Sequence, residues 1–416
     1  MQSRSPNGRV AASDVLIDAT AIPRDRKGVG RYVDELVRAL DAEGVAIAIA
    51  CQAHDEAAFR RLAPSATLLP QRWIAARAPR LLWEQLALPA VARRAGSRLI
   101  HSPHYTIPLP TRRRRVVTFH DATFFSDPGV HTRFKRRFFP AWMRVSHRLA
   151  DAVIADSAAS AAEFDAYLPP IPGKPYDIVH LGVDLERFRP PTPEAVARAR
   201  DRLGLPERWI AYLGSIEPRK NVPALVDAYA ELAAGWTADP DALPALAIAG
   251  ADGWDVDLGP SLARVAAPGR VVRLGYIDLD DLPAYLGGAA IVAYPSIAEG
   301  FGLPVLEALA CGAPVLTTPR LSLPEVAGDA AHYAEPDTRS IAAALRELLA
   351  DDARRAELAR RGPRRAAAFT WAACAAGHVR VWERVLGGPV ARRASSVPGR
   401  PSTGAGTAER VEGPPS

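Results

Sequence analysis

The sequence predicts an α/β protein built from two doubly wound parallel sheets, and three observations predict it. Short apolar, β-branched runs alternate with helical stretches along most of the 416 residues. The alternation breaks once, at 188–206, where prolines accumulate around a single helical stretch. Several of the runs end in glycine-containing turns that lead into helices, the place where ligands bind in sheets of this kind. The length itself suggests two or three domains of about 150 residues each.

Composition narrows the function classes. The net charge of +6 comes almost wholly from arginine, since lysine occurs only at Lys27, Lys135, Lys174 and Lys220. The basic residues are scattered and form no recognised motif, so nucleic acid is not an expected partner. Cys51, Cys311 and Cys374 lie far apart with no CxxC and no histidine cluster, which predicts a reducing compartment and no structural metal. The opening MQSRSPNGRVAASD lacks the apolar core of a signal peptide, and no stretch of about 18 uncharged apolar residues occurs. A cytoplasmic location is expected, with peripheral contact on the inner face of the membrane as its variant.

The first half is expected over 14–187, after a disordered segment 1–13. Its opening strand, DVLIDAT at 14–20, leads through a loop holding Gly28 and Gly30 into a helix at 31–40. Tyr32 and Val33 stand where a dinucleotide-binding loop would carry its third glycine, so bound NAD is not expected. Further strands are expected at 45–50, 67–69, 98–101, 116–120, 153–155 and 178–180. His120 and Asp121 close the strand VVTFHD at its carboxyl end, a position more often functional for histidine than a helix face. The stretch 131–148, HTRFKRRFFPAWMRVSHR, reads as a helix interrupted at Pro140. Its cations Arg133, Lys135, Arg136, Arg137, Arg144 and Arg148 alternate with Phe134, Phe138, Phe139 and Trp142. That mixture suits an anionic bilayer surface or the groove for a lipid-linked acceptor, and it suits ordinary packing with snorkelling arginines equally well.

After the linker at 188–206 the second half is expected over 207–370, with strands at 209–213, 246–249, 271–274, 290–294, 314–318 and 332–334. Helices are expected between them at 222–234, 279–286, 304–310 and 341–349. The first of these strands ends in Gly214-Ser215-Ile216-Glu217-Pro218-Arg219-Lys220-Asn221, and adjacent Arg and Lys beside a helix N-terminus neutralise a diphosphate. The second ends at Gly250 in the same fashion.

The most informative stretch is AIVAYPSIAEGFGLPVLEALACGAPVLTT at 290–318, which reads as strand, glycine-rich turn, helix and strand. Glu299, Gly300, Phe301 and Gly302 fall at the strand's carboxyl end, and Leu303 opens the helix carrying Glu307. A carboxylate accepts two hydroxyl hydrogen bonds, so this pair suits a ligand with sugar rings on either side of a diphosphate. Asp255-Val256-Asp257 matches a short metal-binding DxD pattern but follows no partner motif, and no metal is expected. Asp278, Asp280 and Asp281 read as helix-capping residues. An amphipathic helix at 371–386 is expected to cross back and brace the first half, and the Gly-, Pro-, Ser- and Arg-rich tail 387–416 to be disordered.

Tyr294 to Ala310, the Leu213-Gly214 to Asn221 segment, Gly275-Tyr276-Ile277 and Leu323-Pro324-Glu325-Val326-Ala327-Gly328 together resemble glycosyltransferase family 4, over nearly all of 14–387. The loop from Lys27 to Tyr32, His120-Asp121 and Val179 to Asp184 are most similar to its bacterial mannosyltransferase-like branch. The resemblance implies a GT-B fold, in which two Rossmann-like domains face a central cleft. It also implies transfer of a hexose from a sugar nucleotide with retention, needing neither metal nor other cofactor. The donor would be GDP-mannose and the acceptor a saccharide or lipid-linked sugar of a surface glycan. Alternatives are a UDP-glucose or UDP-GlcNAc donor, or a sugar-nucleotide binder without catalysis. A pyridoxal-dependent phosphorylase is discounted because no lysine follows Lys220.

Carried over by position, Arg219 and Lys220 would bind the diphosphate. Glu299 would hold the hexose, with the amides of Gly300, Phe301, Gly302 and Leu303 beside it. Glu307 would bind the ribose, Ile277 would lie against the base, and Gly214 and Gly250 would line the donor side. His120 would face the reaction centre, with Gly28, Gly30 and Asp121 on the acceptor side.

Overall fold

The computed structural model describes residues 13–393 except 23–25, 27, 73, 75, 127, 131–132 and 254–255. The segments 1–12 and 394–416, most of what was expected to be disordered, therefore lie outside the described residues. The first half holds seven strands: β1 (Val15–Asp18), β2 (Ile47–Gln52), β3 (Thr67–Gln71), β4 (Leu99–Ser102), β5 (Arg114–Phe119), β6 (Ala152–Ala155) and β7 (Asp177–Ile178). The second holds six: β8 (Trp209–Leu213), β9 (Ala245–Ala249), β10 (Val271–Gly275), β11 (Ile291–Tyr294), β12 (Val315–Thr317) and β13 (Ala331–Tyr333). Their orders are β3-β2-β1-β4-β5-β6-β7 and β10-β9-β8-β11-β12-β13, with every pair parallel. Central strands such as VLID, AVIA and ALAIA are buried along their whole length, because helices cover both faces of a parallel sheet. Each sheet reverses its winding once, between β1 and β4 and between β8 and β11, and the crevices beyond these strand ends are where such sheets bind ligands.

Helix Arg133–Leu149 runs through Pro140 without the expected interruption. Interior proline costs a helix about 3 kcal/mol. Here Phe139 and Met143 pack into a cluster with Tyr105, Phe119 and Phe164, and that burial carries the helix across the lost hydrogen bond. The same packing changes the reading of its rings. Phe139 is buried and Phe138 and Trp142 are half-buried, whereas Phe134 is 52% exposed.

The segment 188–206 is packed as well. Its helix Pro193–Leu203, capped by Thr192, lies on the second half, where Pro191 and Val196 fill the space a side chain at Gly287 or Gly288 would need. Asp281 pairs with Arg202 of this helix and makes no side-chain capping bond.

The last helix, Trp371–Leu386, returns to the first half. Val183 N–H donates to the Phe369 carbonyl (3.0 Å) just before the helix begins. Within it, His378 Nδ1–H donates to the Cys374 carbonyl, so its Nε2 accepts from Tyr32 Oη at 2.7 Å. Trp382 Nε1–H donates to His101 Nδ1 at 3.0 Å, and His101 Nε2–H is then left for Thr118 Oγ1. Both histidines are held neutral by burial first of all. Order continues past Gly387, where disorder was expected. Val390 is buried, Ala391 N–H donates to Asp14, and Arg393 pairs with Asp41 at 2.7 Å. A short apolar contact and two carboxylates of the first half hold what composition alone reads as tail.

Candidate active site

The site grows from the two strands at the second sheet's reversal. Beyond β8, a single 3-10 turn, Pro218–Lys220, presents Arg219 and Lys220, and Asn221 in the left-handed region (φ 58°) starts helix Val222–Ala234. Beyond β11, the turn from Pro295 to Gly302 brings up Ser296 and Glu299 before helix Leu303–Ala310 begins.

The two turns meet at Glu299, which is 7% exposed. Arg219 Nη1 lies 2.8 Å from its Oε2 and Lys220 Nζ 2.6 Å from its Oε1. Ser296 Oγ and Tyr294 Oη donate to the same Oε1 at 2.8 and 2.9 Å. Burial pushes the Glu299 carboxyl up, but Arg219, Lys220 and these hydrogen bonds outweigh it and hold it at about 2. Lys220 sits over the Tyr294 ring, 4.8 Å from its centroid, and is pushed below the usual lysine range by burial and by Arg219. Glu217 stands 3.4 Å from Arg219 Nε. The result is a preorganised pair of cations with bound carboxylates, suited to an anionic group flanked by hydroxyls.

Glycines set how closely this cluster approaches its surroundings. A Cβ on Gly250 (φ 137°) would stand 1.9 Å from the Gly214 carbonyl oxygen, so the ends of β8 and β9 touch through backbone. A Cβ on Gly300 would stand 1.8 Å from the His120 carbonyl oxygen, so the Glu299–Gly300 turn rests directly on the β5 end of the first half. Gly302 (φ 94°) turns the chain into the helix.

The remaining expected residues take the following places. Glu307, 2% exposed, reaches the boundary between the halves, where Arg31 of helix Val29–Ala42 occupies it at 2.6 Å. Burial raises its pKa, opposed by Arg31. Arg31 also lies over the Phe188 ring at 5.0 Å. The helix begins at Val29 and not at Arg31, with Gly28 as its N-cap, so Gly30 lies in its first turn and not in a loop, and the second half is met through Arg31, which follows it; Lys27 lies outside the described residues. Ile277 and Phe301 are buried, Phe301 against Phe369, and Leu303 is half-buried. His120 is buried between β4 and β6, and Asp121 Oδ1 accepts from Thr123 N–H and Oγ1 while its charge acts on Arg219. Asp255 lies outside the described residues, and Asp257 accepts from Gly259 N–H. Among the described residues no group of three His, Cys, Asp or Glu is placed to hold a metal, and no helix is long and apolar enough to cross a membrane.

Sequence reasoning missed the contacts that close the halves on each other. Glu325 of the second half accepts from Ala158 and Ala159 N–H (2.9 and 3.1 Å), at the start of helix Ala158–Tyr167, and from His180 Nε2 at 2.6 Å. Ser157 and Ser160 Oγ both donate to the Gly300 carbonyl. Asp156, which precedes them, was also unremarked. It closes β6 as His120 closes β5, and that parallel was the available signal.

Comparison with known proteins assigns both halves. Residues 26–187 match the model described as Glycosyltransferase Family 4, and residues 196–365 match Glycosyl transferases group 1. The chain is 32% identical over 279 residues to the O-antigen chain mannosyltransferase B of Escherichia coli, covering 66% of this chain and 71% of that protein. It is 29% identical over 293 residues to the serotype-specific mannosyltransferase WbdA of Escherichia coli, covering 65% of this chain but only 34% of that longer protein. The sucrose-phosphate synthase of Thermosynechococcus elongatus superposes with a TM-score of 0.72 at 22% identity, over 90% of this chain and 99% of that one. WaaG, a glycosyltransferase involved in lipopolysaccharide biosynthesis, superposes at 0.66 over 90% of this chain and 100% of that one, with 16% identity. Two facing parallel-sheet domains, a cationic turn at the sheet reversal and these matches over both halves agree: the chain is a GT-B enzyme and belongs to glycosyltransferase family 4.

Proposed function

We propose that the protein transfers mannose from GDP-mannose to a saccharide or lipid-linked acceptor in the assembly of a surface glycan, with retention and without a metal. The observation that carries the reading is the Arg219–Lys220–Glu299 cluster at the reversal of the second sheet. The two cations meet the diphosphate and stabilise the charge that develops as it leaves. The Glu299 carboxylate, ionised throughout the physiological range, accepts hydroxyls of the hexose from its place beside them. The Glu299 carboxylate is engaged by Arg219, Lys220, Ser296 and Tyr294, and in this reading it holds the hexose while the acceptor attacks from the face the diphosphate leaves. Glu307 holds the ribose once Arg31 has moved off it. The choice of mannose rests on the two mannosyltransferase relatives.

Contact with an anionic membrane is part of the reading. Helix Arg133–Leu149 exposes Arg133, Arg136, Arg137, Arg144, Arg148 and the ring of Phe134. Each arginine near an anionic leaflet contributes up to about 1 kcal/mol. Two experiments test the proposal. Among a panel of sugar nucleotides, GDP-mannose should raise the melting temperature most, because a ligand of the folded state stabilises it; a larger shift with UDP-glucose moves the assignment to that donor. Co-sedimentation with anionic vesicles at low salt should fall when Arg133, Arg136 and Arg137 become Ser, and absence of wild-type binding removes the membrane contact.

A further inference from the structure

His120 is held from both sides by the strands that flank it. β4 and β6 are the neighbours of β5, and just beyond their ends lie Pro103 and Asp156. The Pro103 carbonyl oxygen is 2.8 Å from His120 Nε2, and Asp156 Oδ2 is 2.7 Å from Nδ1. A carbonyl can only accept, so Nε2 must carry its hydrogen. Nδ1 then either donates to the Asp156 carboxylate or accepts from its carboxylic acid. In both states the pair holds one proton more than a neutral ring beside a carboxylate. We infer that Asp156 is a positioning residue for the transfer reaction: it fixes the His120 ring against Pro103 and keeps that proton on the pair, 36 positions away in sequence.

The surroundings support this assignment. Asp156 is 3% exposed, its Oδ1 finds no hydrogen-bond partner among the described residues, and burial pushes its carboxyl up while His120, first among its neighbours, pulls it back down. Burial works against a charge on His120, but Asp156, the two hydrogen bonds and then Asp121 raise its pKa above the usual histidine value. The Tyr32 ring packs edge-on against His120 at 5.1 Å, and Tyr105 and His104 stand at 6.0 and 6.4 Å. His101 and His378 behind Tyr32 are pressed towards neutrality chiefly by burial and, in lesser part, by the His120 charge, while His180 acts on Asp156 from the other side. The His120 carbonyl meanwhile lies directly against Gly300, which places this residue beside the turn that carries Glu299.

The inference rests on the proposed glycosyl transfer, and two readouts separate them. Proton–nitrogen NMR of the histidine rings, assigned with His120→Gln, should show in the wild type at about pH 7 one ring that Asp156→Asn alters selectively. That ring should titrate above the usual histidine range in the wild type and below it in the variant. A wild-type His120 that titrates as an ordinary histidine overturns the inference, whether or not the variant folds. In the transfer assay, a raised pKa means that the protonated pair is complete at low pH and lost as pH rises. Asp156→Asn should therefore move the alkaline fall of kcat/KM down by at least about one pH unit and lower kcat more than it changes the donor KM. An unshifted pH profile reduces Asp156 to a packing residue. Turnover with none of the sugar nucleotides would sink the transfer reading while leaving the NMR result standing.

Discussion

Replacing Glu299 by Gln keeps the shape of the cluster and removes the charge that Arg219 and Lys220 share. The folded carboxyl lies at about 2 against the usual 4.5. At about 1.4 kcal/mol per unit, ionisation of Glu299 contributes about 3 kcal/mol to stability at neutral pH. The residue is buried, so no discount for solvent screening applies. A depressed pKa stabilises above the unfolded value and is lost as pH falls, so about 2 kcal/mol of this should be gone by about pH 3. Glu299→Gln should then be less stable than wild type by about 3–5 kcal/mol at pH 7, because it leaves the buried Lys220 and the half-buried Arg219 short of a partner. The gap should narrow by about 2 kcal/mol at pH 3. Urea unfolding followed by tryptophan fluorescence at both pH values measures it. A gap that is the same at pH 7 and pH 3 would refute the claim that Glu299 is the ionised partner of both cations.

Three further outcomes follow from the site. Arg219→Ala and Lys220→Ala should each lower turnover on the order of a hundredfold, since one contact to developing charge is worth about 3 kcal/mol, and wild-type rates in both would remove the phosphate assignment. Gly300→Ala places a Cβ 1.8 Å from the His120 carbonyl, so it should separate the two halves and abolish transfer while each half keeps its circular-dichroism signal; normal activity would mean the halves do not meet there during turnover. Transfer should persist in excess EDTA, and loss restored by manganese would reopen the Asp255–Asp257 pattern as a metal site.

Much of this molecule was legible in the sequence because parallel strands buried on both faces announce themselves as apolar runs. The strand Trp209–Leu213 and the helix Val222–Ala234 fall where the pattern put them, and the others within a few residues. The meeting of Arg219 and Lys220 with Glu299 was legible in part: each turn sits at a strand's carboxyl end, but only the parallel order β8-β11 makes those ends neighbours. What was hidden depends on the contact between the halves. Nothing local marks Arg31 as the partner of Glu307, or Glu325 as the cap of a helix in the other half. The unbroken helix through Pro140 and the packed residues after Gly387 were hidden for a related reason, since in both cases tertiary burial overrides a local signal that reads correctly in isolation.

In the proposed function Arg219 and Lys220 recognise a nucleoside diphosphate. Calorimetric titration of wild type and Lys220→Ala with GDP, UDP and the corresponding monophosphates tests it most directly. One diphosphate should bind wild type at least tenfold more tightly than its monophosphate, and Lys220→Ala should lose that difference. Equal affinity for mono- and diphosphate in the wild type, or a preference that survives Lys220→Ala intact, would contradict it.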